Sequence, residues 1–375
     1  MTNSSITNAS QIEVQAERTY QVRVGREILG LLPELLAGAS RVAIVVPETL
    51  TVLARQKVSD ACDALGDAGY ETHVLPVPDG EQAKTVAVLE RCWELLGSWS
   101  LTRNDAIVGL GGGTATDLAG FLAATWLRGV RYVQVPTTLL AMVDASVGGK
   151  TGINTASGKN LVGAFYSPVG VLCDLTFLDS LPVIDLQSGM AEVVKVGLTC
   201  DPHIISLLQS NGAAATDPTS PVLRELIERA IAVKAAVVGD DFLEIASSVA
   251  PGELGREVLN YGHTLGHAIE RVEHYTWRHG AAISVGMVFA AELAHAGGFL
   301  DQAGVALHRE LLGALELPLS YPGDRWAPLL EAMQRDKKTR GSSLRFVVLH
   351  GLGNPQPWRD PDPESLRDAY SAISR

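Results

Sequence analysis

A chain of 375 residues, 46% apolar and 19% charged, holds enough hydrophobic material for two ordinary domains and excludes a disordered polypeptide. Its net charge of −12 argues against a nucleic-acid-binding surface but leaves room for a buried site that takes an anionic small molecule. The four cysteines, Cys62, Cys92, Cys173 and Cys200, form no CxxC pair, which speaks against a disulfide framework or a thiolate metal site and fits a reducing compartment.

The opening MTNSSITNASQ lacks the basic and apolar regions of a secretion signal, and charged residues or glycine interrupt every apolar run. A cytoplasmic protein without membrane or nucleic-acid partners is therefore expected. Short β-branched runs then predict strands at RVAIVV (41–46), ETHVLPV (71–77), DAIVGL (105–110), RYVQVP (131–136) and VGVLCD (169–174). Helical patterns such as VLARQKVSDACDALGDAG and KTVAVLERCWELLGSW separate several of them, which implies a parallel sheet covered on both faces. Beyond residue 181 the texture changes to successive helical patterns at 188–198, 203–209, 222–238, 253–272, 281–296 and 305–315, with LRFVVL (344–349) as the convincing late strand. The expected organisation is an α/β domain over 1–181 and a mainly helical domain over 182–375.

Five segments carry candidate chemistry. In DAIVGLGGGTATDLAGFLAA (105–124), Gly111, Gly112 and Gly113 let backbone amides approach a ligand at a helix N-terminus, although tight packing explains such a turn about as well. Thr114 and Thr116 stand where a dinucleotide fingerprint needs glycine, and Asp117 either complements the helix dipole or holds a polar group of a ligand. VPTTLLAMVDASVGGKTGINTASGKNLVGAF (135–165) gathers Thr137, Thr138, Asp144, Lys150, Asn154, Lys159 and Asn160. Its lysines, flanked by glycine and aliphatics, suit a cleft that takes a phosphorylated ligand rather than a solvated loop. In SGMAEVVKVG (188–197), Glu192 and Lys195 share an apolar helix face. In REVLNYGHTLGHAIE (256–270), Arg256, Asn260, His263 and His267 read as one stripe of a helix, with His279 opening the next. Glu192 with two of these three histidines makes a His₂Glu metal site, and spacing alone leaves open which two. The basic QRDKKTRGSSLRFVVL (334–349) is the weakest of the five.

Taken together, VPTTLLAMVDASVGGKTGIN, GKNLVGAF, GMAEVVK, LNYGHTLGHAIE and RHGAA closely resemble the 3-dehydroquinate synthases, in family order from DGEQAK (79–84) to DKK (336–338). GGG-x-A-T-D and WRHGAA are similar to the actinobacterial branch. The resemblance implies an N-terminal NAD-binding α/β domain, a helical C-terminal metal- and substrate-binding domain, an active site in the cleft between them, and a homodimer. It implies Glu192, His263 and His279 as ligands of a divalent metal, Zn²⁺ or Co²⁺. It implies NAD contacts at Asp79, Gly80, Glu81, Lys84, Gly112, Gly113, Thr114, Thr116, Asp117, Thr137 and Thr138. Asp144, Lys150 and Lys159 approach the nicotinamide end, and Phe177, Leu178, Asp179 and Ser180 close that side. Substrate contacts fall on Lys150, Asn160, Lys195, Lys234, Arg256, Asn260, His267 and one of Lys337 and Lys338, with Arg128 reaching across the dimer. The implied reaction converts 3-deoxy-D-arabino-heptulosonate 7-phosphate to 3-dehydroquinate and phosphate by transient oxidation, β-elimination, reduction and aldol closure. Competing readings are another sugar-phosphate cyclase, such as a 2-deoxy-scyllo-inosose or 2-epi-5-epi-valiolone synthase, a metal-dependent polyol dehydrogenase, and a non-catalytic NAD-binding protein. Two departures stand out: Thr116 replaces a frequent glycine, and IASSVAP lengthens the stretch between Lys234 and Arg256.

Overall fold

The computed structural model describes residues 9–245, 254–340 and 343–375, except for the side chains at 336–340. The chain divides into two compact units. The first comprises the residues up to Pro182 together with Lys234–Gly239, and the second comprises Val183–Val233 and Asp240–Arg375. The return of Lys234–Gly239 to the first unit departs from the simple cut expected after residue 181.

The strands of the first unit are β1 (Ser10–Val14), β2 (Tyr20–Gly25), β3 (Arg41–Pro47), β4 (Glu71–Val77), β5 (Ala106–Gly111), β6 (Arg131–Pro136), β7 (Lys150–Thr155), β8 (Gly158–Phe165) and β9 (Gly170–Asp174). Seven form one sheet in the order β1-β2-β9-β6-β5-β3-β4, parallel except for the β1–β2 pair. The central strands are buried on both faces, which is why they read as unbroken apolar runs. The helices of this unit include α1 (Arg55–Asp67), α2 (Val86–Ser98) and α3 (Gly113–Thr125). Thr85 starts α2 by accepting the Val88 amide at 3.3 Å. Helix α3 lies directly on β5: a Cβ added at Gly109 or Gly111 would stand 2.7 Å from the Ala119 or Ala115 Cβ. These two glycines are packing residues, and the helix they hold begins at Gly113 with Gly112 as its N-cap.

The second unit is built from α4 (Val183–Thr199), α5 (Pro202–Asn211), α6 (Pro221–Asp240), α7 (His263–Val272), α8 (His279–Ala296), α9 (Gln302–Ala314), α10 (Trp326–Arg340) and α11 (Pro363–Ala372), with the antiparallel pair β10 (Arg345–Leu349) and β11 (Pro355–Arg359). Side-chain oxygens of Asp201, Ser220, Asp301 and Asp362 cap α5, α6, α9 and α11. The continuous helix expected over 253–272 is broken. Gly255–Asn260 forms a 3₁₀ turn, and Gly262 takes a left-handed φ of 77° before α7 begins. Arg256 and Asn260 therefore do not lie on the same helix as His263 and His267. Any Cβ at Gly262 would also strike Met287, 2.6 Å away on α8, so that position must be glycine for two reasons.

Candidate functional site

In the first unit, three separated sequence segments meet around Lys84. This residue is buried, and its ammonium donates to Asp117 at 2.5 Å and to the Asn160 side chain. Asp117 lies on the first turns of α3, and Asn160 lies on β8 with a φ of 55°, a left-handed conformation that asparagine tolerates better than most residues. Asn154 joins the same network. Its amide group donates to Glu81 at 2.5 Å, its side-chain oxygen accepts the Asn160 amide at 3.1 Å, and its own amide donates to the Lys84 carbonyl at 2.8 Å. Lys159 closes on Glu81 at 3.2 Å. The stretch read as a cleft loop is thus a hairpin, β7–β8, pinned to the 3₁₀ turn Gly80–Ala83 and to α3. Asp79 accepts the Thr49 amide at 3.2 Å, and Thr137 donates its amide to Gly111 at 3.0 Å. Asp144, on a π-helical turn, binds the Lys234 ammonium through its side chain and its carbonyl.

In the second unit, Glu192 on α4 is buried and divides its oxygens between two tasks. Oε2 accepts the Lys195 ammonium, and Oε1 lies 3.3 Å from His279 Nε2 and 3.6 Å from His263 Nε2. Two ligands about 2.0–2.2 Å from a tetrahedral metal ion stand roughly 3.3–3.6 Å apart, so the two spacings from Glu192 suit one ion, and the three ligand atoms all lie within 4.8 Å of one another. His263 Nδ1 donates to the Tyr261 carbonyl at 3.0 Å, leaving its Nε2 lone pair for a metal. His279 Nδ1 lies 3.4 Å from Glu270 Oε2. A second group of possible ligand atoms, on His267, Glu270 and His279, is equally compact, with all atoms within 4.8 Å of one another. The rings of His263 and His267 meet edge-on at 5.0 Å between centroids.

Electrostatics separates these groups. Burial works against charge on Glu192, but Lys195 and the two histidines outweigh it and hold the carboxyl well below the usual carboxylate range. Burial also disfavours the cation at both histidines. His263, with Lys195 adding to that effect, is held well below the ordinary histidine range, whereas Glu192 and Glu270 push His279 up to about 10.

Two family models cover this chain: 3-dehydroquinate synthase N-terminal over residues 74–188 and 3-dehydroquinate synthase C-terminal over residues 189–339. The chain belongs to the 3-dehydroquinate synthase family. A 3-dehydroquinate synthase of Nocardia farcinica is 52% identical over 374 residues, spanning 99% of this chain and 97% of that relative. Among solved structures, a 2-deoxy-scyllo-inosose synthase complexed with carbaglucose-6-phosphate, NAD⁺ and Co²⁺ matches at a TM-score of 0.81 and 27% identity, over 98% of this chain and 100% of that one. A 2-epi-5-epi-valiolone synthase from Streptomyces hygroscopicus with NAD⁺ and Zn²⁺ bound matches at a TM-score of 0.85 and 24% identity, over 95% and 97%, which speaks for a shared fold.

The other residues expected at the family's sites are placed as follows. Thr116 is fully buried and its hydroxyl donates to the Gly113 carbonyl at 2.8 Å, within α3. The side chains of Phe177 and Leu178 are core residues, which leaves Asp179 and Ser180 as the exposed pair, with Asp179 bonded to Arg26 at 2.6 Å. Lys234 is held by Asp144 within the first unit. Arg256 is buried, with its guanidinium on the Phe242 carbonyl at 3.0 Å. His267 is exposed, as are Lys150 and Arg128, and Arg128 sits on a turn where Leu127, Arg128 and Gly129 all have positive φ. The side chains of Lys337 and Lys338 lie outside the described residues, as does the inserted IASSVAP except for Ile245. Sequence reading passed over Glu270, although it stands three residues after His267 and continues the stripe begun at His263. It also passed over Asn154 as an organiser of the hairpin.

Proposed function

We propose that this chain is a 3-dehydroquinate synthase that converts 3-deoxy-D-arabino-heptulosonate 7-phosphate to 3-dehydroquinate and phosphate, using NAD and a divalent metal, Zn²⁺ or Co²⁺. The observation that carries the reading is the Glu192–His263–His279 cluster, with ligand spacings suited to one ion and Lys195 beside it, in a chain of this family. The 52% identity to a 3-dehydroquinate synthase favours this substrate over those of the other cyclases. Bound, the two cofactors supply a reversible hydride acceptor and a Lewis acid.

The chain's own groups do the rest. Glu192, His263 and His279 hold the metal, and Lys195 keeps one Glu192 oxygen occupied so that a single oxygen is offered. Gly112 and Gly113 present the N-terminus of α3 to the dinucleotide phosphates, while Lys84 fixes Asp117 for its polar end. Lys150, Asn160, Lys195, Arg256, Asn260 and His267 bind the phosphate and carboxylate of the substrate and keep it in one pose. Lys234 orients Asp144. The working form is a cytoplasmic homodimer in which Arg128, exposed on its strained turn, reaches the partner's site.

Incubation with NAD, Zn²⁺ or Co²⁺ and the heptulosonate phosphate, assayed for phosphate and dehydroquinate, tests the reaction. For the ligand set, His279→Ala is expected to lose the metal in equilibrium dialysis. His267→Ala is expected to keep it and to lose turnover. Metal-free His267→Ala beside metal-replete His279→Ala would overturn the assignment.

A further inference from the structure

The His279 ring has an acidic oxygen at each end: Glu192 Oε1 at 3.3 Å from Nε2 and Glu270 Oε2 at 3.4 Å from Nδ1. One imidazole nitrogen can give a lone pair to an ion only while the other carries the proton. Nε2 faces the compact set with Glu192 and His263, so the proton belongs on Nδ1, where Glu270 can accept it. The other histidine of that set is arranged the same way by different means, with its Nδ1 anchored on the Tyr261 carbonyl at 3.0 Å.

We infer that Glu270 is a positioning residue of the metal centre, setting the tautomer and rotation of His279 through a hydrogen bond to Nδ1. Helix α7 thus supplies a ligand, His263, and two turns further on the anchor for a ligand carried by α8. The anchor has a clear task. His279 is the first residue of α8 and its side chain is 23% exposed, whereas His263 is 11% exposed, so the ring of His279 is the less confined by packing. Glu270 is itself only 9% exposed, and a carboxylate is costly to bury unless it is hydrogen-bonded. A carboxylate behind a metal-binding histidine also strengthens the histidine as a donor, and loss of such a partner weakens metal binding by about 10–100-fold.

This inference rests on the Glu192–His263–His279 reading, and the experiment separates the two. Zinc affinity is measured by chelator competition for the parent, E270A, E270Q and His279→Ala, and the His279 tautomer is read by NMR of ¹⁵N-histidine-labelled, zinc-loaded protein. E270A is expected to bind zinc about 10–100-fold more weakly. E270Q, whose amide oxygen still accepts from Nδ1, is expected to recover most of that loss and to keep the Nδ1–H tautomer. A purely structural role would not discriminate in this way. E270A binding zinc as tightly as the parent, or E270Q as weak as E270A, would overturn the role of Glu270. So would parent protein with the His279 proton on Nε2, a result that needs no variant to fold. So too would a second zinc equivalent lost in E270A while the first stays tight, which would make Glu270 a ligand alongside His267. A His279→Ala chain that retains its zinc would instead overturn the underlying ligand set.

Discussion

Replacing Gly280 by alanine probes what holds Glu192 and His279 in register. An added Cβ would stand 1.9 Å from the Ser188 carbonyl oxygen and 2.6 Å from its carbon, and both are backbone atoms of α4 that cannot rotate aside. Ordinary contact begins near 3.4 Å, so the first turn of α8 would have to retreat from α4 by about 1.5 Å. His279 opens that turn and Glu192 lies one turn beyond Ser188, so the retreat would act on the 3.3 Å separation of His279 Nε2 and Glu192 Oε1. It would also stretch the 3.0 Å bond from the Gly280 amide to the Ser188 hydroxyl. Two effects compete in stability. Alanine favours helix over glycine by about 0.5–1 kcal/mol, whereas forcing an extra methyl into a packed contact costs about 1–3 kcal/mol, so a net loss of roughly 1–2 kcal/mol is expected. Function should suffer more, since a displacement of about 1 Å at a reacting centre costs on the order of 100-fold in rate. The measurements are zinc content after dialysis, melting of the metal-free protein and turnover under saturating cofactor. A Gly280→Ala chain with parental zinc content and turnover within about twofold would refute the argument that close approach at this glycine aligns the ligands.

His308 should give the stability an acid-sensitive limb. It is fully buried, accepts from the Tyr261 hydroxyl at 2.8 Å and donates from Nδ1 to the Gly304 carbonyl at 2.7 Å, and burial pushes it down to about 4. The unfolded chain, with an ordinary histidine near 6.5, then binds more protons between those values. Its contribution is complete above about pH 7 and declines as pH falls, by about 2 kcal/mol between pH 7 and pH 5. Denaturant titrations of the parent and His308→Gln at the two pH values check this, and an equal pH dependence in both would count against it. Arg128 is expected to work in trans: mixing Arg128→Ala chains with chains carrying His279→Ala should regenerate some active sites. No recovery at any ratio, once subunit exchange is shown by mass, would refute that role.

Much of the first unit was legible because buried parallel strands are apolar along their whole length. Glu71–Val77 and Arg131–Pro136 coincide with the runs read from sequence. The strands Ser10–Val14 and Tyr20–Gly25 were passed over because polar residues alternate through them, as suits an antiparallel edge pair. The hairpin Lys150–Phe165 hid behind glycine, asparagine and lysine, which local propensity assigns to loops. In the second unit, periodicity ran across Gly262 because it registers only where apolar residues fall and not the sign of φ. Glu192, Lys195, His263 and His279 were legible as ionisable groups in apolar helices. The pairing of Lys234 with Asp144 depends on tertiary placement that no local pattern records.

Helix α6 begins with the second unit at Pro221, yet its residues Lys234–Gly239 are grouped with the first. The order of the gene and the order of the architecture therefore disagree. A fragment ending at Pro182 would encode the whole seven-stranded sheet but not the lysine whose ammonium Asp144 grips. A fragment beginning at Val183 would carry that lysine away from its carboxylate. Neither half is a portable cassette, and exchange of the first unit between related enzymes has to carry this stretch of helix with it. Asp144 and Lys234, 90 positions apart in sequence, are joined by that ion pair.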